Sequence, residues 1–134
     1  MLDRALAEAG VPRGEVFVTN AVKHFKYEQR GKRRLHKRPN ANEIERCKWW
    51  LQSEIRLVRP TVIVAMGASA VRSILGRGGT IASLRGEPQL LGTSMVYVTI
   101  HPSYLLRLRN ESDKAAQYQL FKADLERSWR SARS

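Results

Sequence analysis

Thr61-Val-Ile-Val-Ala-Met66-Gly67-Ala-Ser-Ala-Val-Arg-Ser-Ile-Leu75-Gly76 is the stretch that decides the fold of this 134-residue chain. Val62 to Met66 are apolar without alternation, the pattern of a parallel strand covered on both faces. Gly67, followed by the small residues Ala68, Ser69 and Ala70, allows close backbone approach at a strand-to-helix turn. The helix that follows runs to Leu75, and Gly76 closes it.

Working outward, Met95-Val-Tyr-Val-Thr-Ile100 reads as another strand and ends in His101-Pro-Ser-Tyr-Leu-Leu-Arg107. Residues 76–94 carry Gly78, Gly79, Gly86 and Gly92 and read as loop. A last helix is expected over about 112–129, with Ala116, Leu120, Phe121, Asp124 and Leu125 at helical spacings. Upstream, Asn40 and Glu43 form a capping-box pair for a helix to about Val58, with Ile44, Cys47, Leu51, Ile55 and Val58 on one face. Trp49 and Trp50 are adjacent, so at least one of them packs elsewhere. Arg59-Pro60 ends that helix.

Nearer the N-terminus, Val16-Phe-Val-Thr-Asn20 reads as a short buried strand. Leu2, Ala5, Leu6 and Ala9 give residues 2–9 a helical face stopped by Gly10 and Pro12. This helix has no N-capping residue in front of it, which suggests a natural domain that starts earlier than Met1. Helix and strand alternate as in an α/β fold with a parallel sheet between helical layers. Ligands of such sheets bind beyond the carboxyl ends of the strands, where Asn20, Gly67 and His101 all fall.

Between Asn20 and the first long helix lies AVKHFKYEQRGKRRLHKRP, residues 21–39, read as a loop. It holds Lys23, Lys26, Arg30, Lys32, Arg33, Arg34, Lys37 and Arg38 against one acid, Glu28, and also His24 and His36. The whole chain has a formal charge of +12 and a pI near 10.7. That excess calls for a polyanion, nucleic acid before an anionic membrane, because the cations crowd a glycine-containing loop and not an amphipathic helix. One cysteine, Cys47, excludes an internal disulfide and fits a reducing, cytoplasmic setting. There is no signal-peptide pattern, and the best apolar run, Val62 to Leu75, is broken by Arg72.

VTNAVKHF, GKRRLHK, VIVAMGASA and HPSYLLR, taken together, resemble the uracil-DNA glycosylase superfamily. The KRRLH motif makes the resemblance one to the UdgX type, a relative of the iron–sulfur family 4 enzymes. It runs from about residue 1 to 127 and implies a three-layer α/β/α fold with a parallel sheet. In that light the chain is a single partial domain over residues 1–134, the C-terminal portion of the family's domain.

The resemblance implies an enzyme whose full-length form flips uracil out of DNA, expected to be single-stranded, and cuts its bond to the sugar. The chain alone holds half of that pocket and is not expected to suffice for activity. It sets Asn20 on the uracil edge, where a side-chain amide both donates and accepts. Lys23 and Ser103 fall with it on the substrate side. His101 would donate to uracil O2 as negative charge develops on the departing base. His36 would attack the sugar carbon and stay bonded to the DNA, which needs a neutral imidazole. Lys32, Arg33, Arg34, Lys37 and Arg107 would hold phosphates. Without the resemblance each has a plainer reading. Asn20 closes a turn, His101 is a satisfied strand-end histidine, and His36 belongs to a phosphate-binding loop. Phe25 and Tyr27 stack on bases or pack in the core, Phe25 at least as readily in the core.

The family's glycine-rich motif with an acidic residue, and the aromatic that stacks on uracil, have no counterpart in the chain. The resemblance also implies a 4Fe-4S cluster in the full-length family, with Cys47 and His24 at two of the four ligand positions. Two donors cannot retain such a cluster, and a small buried apolar role for Cys47 is the alternative. The expected partners are uracil-containing DNA and no membrane, with a monomeric state. A non-catalytic, basic nucleic-acid-binding fragment is the second reading, and an unrelated basic α/β enzyme the third. The strand absent from the resemblance lies between those ending at Asn20 and Met66, leaving unpaired backbone groups across a gap. The isolated chain is therefore expected to be poorly stable; a sharp, reversible calorimetric transition would show otherwise.

Overall fold

The computed structural model describes residues 2–19, 26–30, 33–37, 41–76 and 80–133; within 26–49 only the backbone is described. Its frame is one parallel strand pair. β3 (Val62–Met66) and β5 (Ser94–Thr99) run side by side, with Ile63 opposite Val96, Ala65 opposite Val98 and Met66 opposite Thr99. A third strand, β4 (Gln89–Leu91), pairs antiparallel with β5, so the sheet is mixed, in the order β3-β5-β4. The segment 76–94, read as loop, thus contains a strand, and it also holds α4 (Ile81–Leu84), capped by Thr80 Oγ1 accepting from the Ser83 N–H at 3.1 Å. Three-residue and four-residue elements are too short to show a hydrophobic period, so the glycines dominated the reading.

Helices cover both faces of the sheet. α3 (Ala68–Leu75) packs on one, where Ala65, Val71, Val96 and Val98 form a buried cluster joined by Ile63 and Ile74. α1 (Leu2–Glu8) and α6 (Glu111–Arg133) pack on the other. There Ala5, Leu6, Tyr118, Phe121 and Leu125 meet Val64 and Met66. Alternate residues of β3 therefore feed opposite layers, the three-layer α/β/α arrangement expected of an uninterrupted apolar strand.

The helix boundaries follow from local chemistry. α1 ends in a left-handed Gly10 at φ 77°, with the Val11 N–H donating to the Leu6 carbonyl at 2.9 Å. α2 (Ala41–Val58) ends with Arg59 at φ 53°, a left-handed conformation unusual for a non-glycine residue. The Arg59 N–H still donates to the Ile55 carbonyl at 2.9 Å, and Pro60 stops further winding. α5 (Pro102–Arg107) follows β5 directly. α6 starts at Asn110, whose Oδ1 accepts from the Ser112 and Asp113 N–H groups at 2.8 and 3.2 Å. Glu111 and Asp113 in its first turn and Arg130 and Arg133 in its last suit the helix dipole. Its inner face is Tyr118, Phe121, Asp124, Leu125 and Ser128; Ala116 and Leu120, read as part of the stripe, are exposed.

Two further expectations change. Val16–Thr19 form no strand, and Phe17 and Val18 are 60% and 47% exposed where burial was expected. β-branched residues favour an extended backbone, but a strand needs a partner. Among the described residues, β3 is laddered to β5 alone. The basic segment, read as an irregular loop, contains an antiparallel hairpin. β1 (Lys26–Arg30) pairs with β2 (Arg33–Lys37), Tyr27 opposite His36 and Arg30 opposite Arg33. Two residues then separate the strands, a hairpin spacing. The signal was hidden because cations occupy the positions where apolar alternation marks a strand.

Phe121 is fully buried at the centre of the larger cluster. Phe121→Ala is expected to remove about 3–5 kcal/mol, enough to collapse the amide dispersion of an NMR spectrum of a marginal domain. Retention of the wild-type dispersion would contradict this placement in the core.

Candidate active site

β3 and β5 are parallel, so their carboxyl ends open on the same side of the sheet. Two backbone features bring them together there. The Gly67 N–H donates to the Thr99 carbonyl at 2.9 Å, continuing the ladder one residue past β3. Gly67 itself sits at φ 87°, which a side chain disfavours, and a Cβ there would stand 3.1 Å from His101 Cβ. Glycine is thus required twice, for its conformation and for the space His101 occupies. The sequence reading has Gly67 allowing close backbone approach at a strand-to-helix turn; the structure adds that His101 is what approaches.

His101 caps α5. Its Nδ1 accepts from the Ser103 backbone N–H at 3.1 Å and lies 2.8 Å from Ser103 Oγ. A backbone N–H can only donate, so Nδ1 must carry a lone pair. The neutral ring therefore holds its proton on Nε2, which makes Nε2 its donor. Desolvation at the strand end, and secondarily the Arg107 guanidinium, push the His101 pKa below its ordinary value, although the residue stays exposed to solvent. Both oppose a second proton, and so does the cap, which Nδ1 protonation would break.

The sign of the pH linkage follows. A histidine whose folded pKa is depressed binds fewer protons folded than unfolded as pH falls below about 6.5. Its neutral state contributes full stability above that value, and the contribution is lost as pH drops toward the folded pKa. The chemical consequence is a ring that stays an uncharged Nε2–H donor at neutral pH.

The other site residues expected from sequence divide by position. Ser103 is half-buried, and its hydroxyl sits on His101 Nδ1. Arg107 is exposed in the last turn of α5. Arg33, Arg34, His36 and Lys37 lie along β2, with His36 at the register position opposite Tyr27. Asn20, Lys23, His24 and Lys32 lie outside the described residues. Cys47 lies within α2, where only the backbone is described. The structure therefore brings together Gly67, His101 and Ser103.

The donor set can be weighed against a four-ligand cluster. The chain has one cysteine and three histidines, and Nδ1 of one of those, His101, is held by Ser103. Among the described residues no group of three or more His, Cys, Asp or Glu could hold a metal ion. The residues present do not fit such a cluster on their own.

Sequence reading missed two residues behind the site. Thr99 is fully buried, and its hydroxyl donates to Asp124 Oδ2 at 2.6 Å. A carboxylate on the apolar stripe of α6 was the available signal, since a buried charge needs partners.

Comparison with known proteins agrees with this architecture. The chain is 36% identical over 112 residues to the type-4 uracil-DNA glycosylase of Thermotoga maritima, covering 82% of this chain and 55% of that protein. It is 32% identical over 125 residues to the type-4 uracil-DNA glycosylase of Pyrobaculum aerophilum, 85% of this chain and 60% of that one. A type-5 uracil-DNA glycosylase of Pyrobaculum aerophilum is 36% identical over 92 residues. The chain thus spans somewhat more than half the length of its type-4 relatives. The model of the uracil DNA glycosylase superfamily matches residues 1–126, nearly the whole chain, and on that match the chain belongs to the uracil-DNA glycosylase superfamily.

Proposed function

We propose that this chain supplies the strand-end chemistry of a uracil-DNA glycosylase acting on an extruded uracil. The observation that carries the reading is His101 beside Gly67 at the carboxyl ends of β3 and β5, with Nδ1 occupied by the Ser103 N–H. Breaking the N-glycosidic bond sends its electron pair into the base and leaves positive charge on the sugar. An Nε2–H donor placed at uracil O2 stabilises the charge that develops on the base and is uncharged beforehand. A neutral donor suits the task because it need not be deprotonated when the uracil anion leaves. Asn20 and Lys23 are assigned to the uracil and its sugar, and Ser103 to orienting His101.

The finer reading is of the UdgX type. His36, on β2, offers a lone pair to the sugar carbon as the bond to uracil breaks. A carbon–nitrogen bond forms, and the imidazolium then loses its remaining ring proton to solvent, leaving the protein attached to the abasic site. The hairpin carries His36 opposite Tyr27, on the same strand as Arg33, Arg34 and Lys37, which supports a histidine presented within a basic, phosphate-binding element. Lys32, Arg33, Arg34, Lys37 and Arg107 serve as phosphate contacts to DNA read as single-stranded. The +12 charge supports such a partner. His24 and Cys47 are read as two ligands of the family's 4Fe-4S cluster. We read the protein as a cytoplasmic monomer; no described helix is long and apolar enough to cross a membrane. A non-catalytic nucleic-acid-binding role is the second reading, favoured by the same charge.

The test uses single-stranded DNA with one uracil, resolved on a denaturing gel. A shifted band that persists with the wild-type chain and disappears in His36→Ala is expected. Binding that melts away on the gel, equally for uracil and thymine, would favour the second reading. His101→Leu should slow single-turnover uracil release by about 10²–10³-fold, the usual cost of one lost oxyanion donor. In the wild type, release should hold level as pH falls through about 6.5 and decline only below it, because the His101 pKa is depressed. A decline that begins above neutrality would contradict the Nε2–H assignment.

A further inference from the structure

We propose that Asp124, acting through Thr99, is a positioning residue for His101. The proposal rests on reading His101 as the donor to the leaving base. Asp124 lies on α6, 23 residues beyond His101, and is 5% exposed. Buried carboxylates are costly unless fully partnered, and this one is partnered on both oxygens. Oδ2 accepts from Thr99 Oγ1 and from Arg85 Nε, both at 2.6 Å, and Oδ1 accepts from Arg127 Nη2 at 2.5 Å. Arg85 Nη1 also donates to Gln117 Oε1 at 3.3 Å.

These bonds join three elements at one point. Arg85 follows α4, Gln117, Asp124 and Arg127 belong to α6, and Thr99 is the last residue of β5. Thr99 is held twice over, its hydroxyl by Asp124 and its carbonyl by the Gly67 N–H. Two residues later the chain reaches His101, so the pair sets both the height of the strand end and the spacing between Gly67 and the imidazole. A bare core could supply cohesion with apolar side chains. A buried ion cluster aimed at the last strand residue supplies direction, because hydrogen bonds fix angle as well as distance.

Thr99→Val is the informative substitution, since it keeps the side-chain shape and leaves Asp124 its two arginines. Asp124→Ala would instead leave the largely buried Arg85 guanidinium without its carboxylate and unsettle the domain. The readouts are the ring ¹⁵N shifts of His101 and single-turnover uracil release. Asn110→Ala, which removes the side-chain cap of α6 without touching Thr99 or Asp124, is the control for a general loss of stability. Thr99→Val is expected to move the ¹⁵N pattern away from a pure Nε2–H tautomer and to slow release by about tenfold or more, with DNA affinity unchanged. Thr99→Ser, which keeps the hydroxyl, should restore both, and Asn110→Ala should alter neither. Wild-type ring shifts in Thr99→Val, or an equal change in Asn110→Ala, would overturn the proposal. A wild-type chain that releases no uracil would count against the glycosylase reading alone, because the ring shifts still decide the positioning.

Discussion

The parallel pairing of β3 with β5 is the constraint on which the molecule depends. It places Met66 opposite Thr99 and lets the Gly67 N–H reach the Thr99 carbonyl. From that one registration both chain directions follow: α3 leaves at Gly67 and α5 leaves at His101, side by side. A slip of one residue would turn every side chain of β3 to the opposite layer, exchanging Ile63 and Ala65 for Val64 and Met66. Both layers are buried, so the register is fixed by packing as well as by hydrogen bonds.

The polar interactions behind the site follow a consistent logic. His101 is not left to choose its tautomer, because a backbone donor takes Nδ1. Thr99 is not left to set its own height, because a buried carboxylate takes its hydroxyl. Neither arrangement is confined to a loop. Each ties a reactive position to a strand end or a helix, where a rotamer is held by its neighbours. About two turns nearer the start of α6, Tyr118 is buried and donates to Glu8, while Arg4 stacks over its ring at 5.0 Å, which anchors α1 to the same helix.

The contrast between the basic hairpin and the sheet is physical. The sheet is organised by apolar burial, and its two parallel strands, β3 and β5, are visible as apolar runs. The hairpin β1–β2 is organised by a short connection and backbone pairing, and its residues are mostly charged. Charge density suits a surface that meets phosphates, because those contacts give affinity without depending on a base.

The sequence determined the alternation of helix and strand, the two glycines that bracket α3, the parallel core pair and the histidine at the end of β5. These are local properties: period, propensity and turn chemistry act over a few residues. It read Val16–Thr19 as a strand because β-branched propensity is a local property, whereas strand pairing is decided by residues distant in sequence. It passed over β4 and α4 because their hydrophobic period is too short to register. Only the tertiary structure decided which nitrogen of His101 carries the proton, that Ser103 turns inward to that ring, and that Asp124 reaches Thr99 across 25 residues. The Asp124–Thr99 bond is fixed only when α6 closes over the sheet, and the His101–Ser103 pair depends on angles at the start of α5 that residue order alone does not specify.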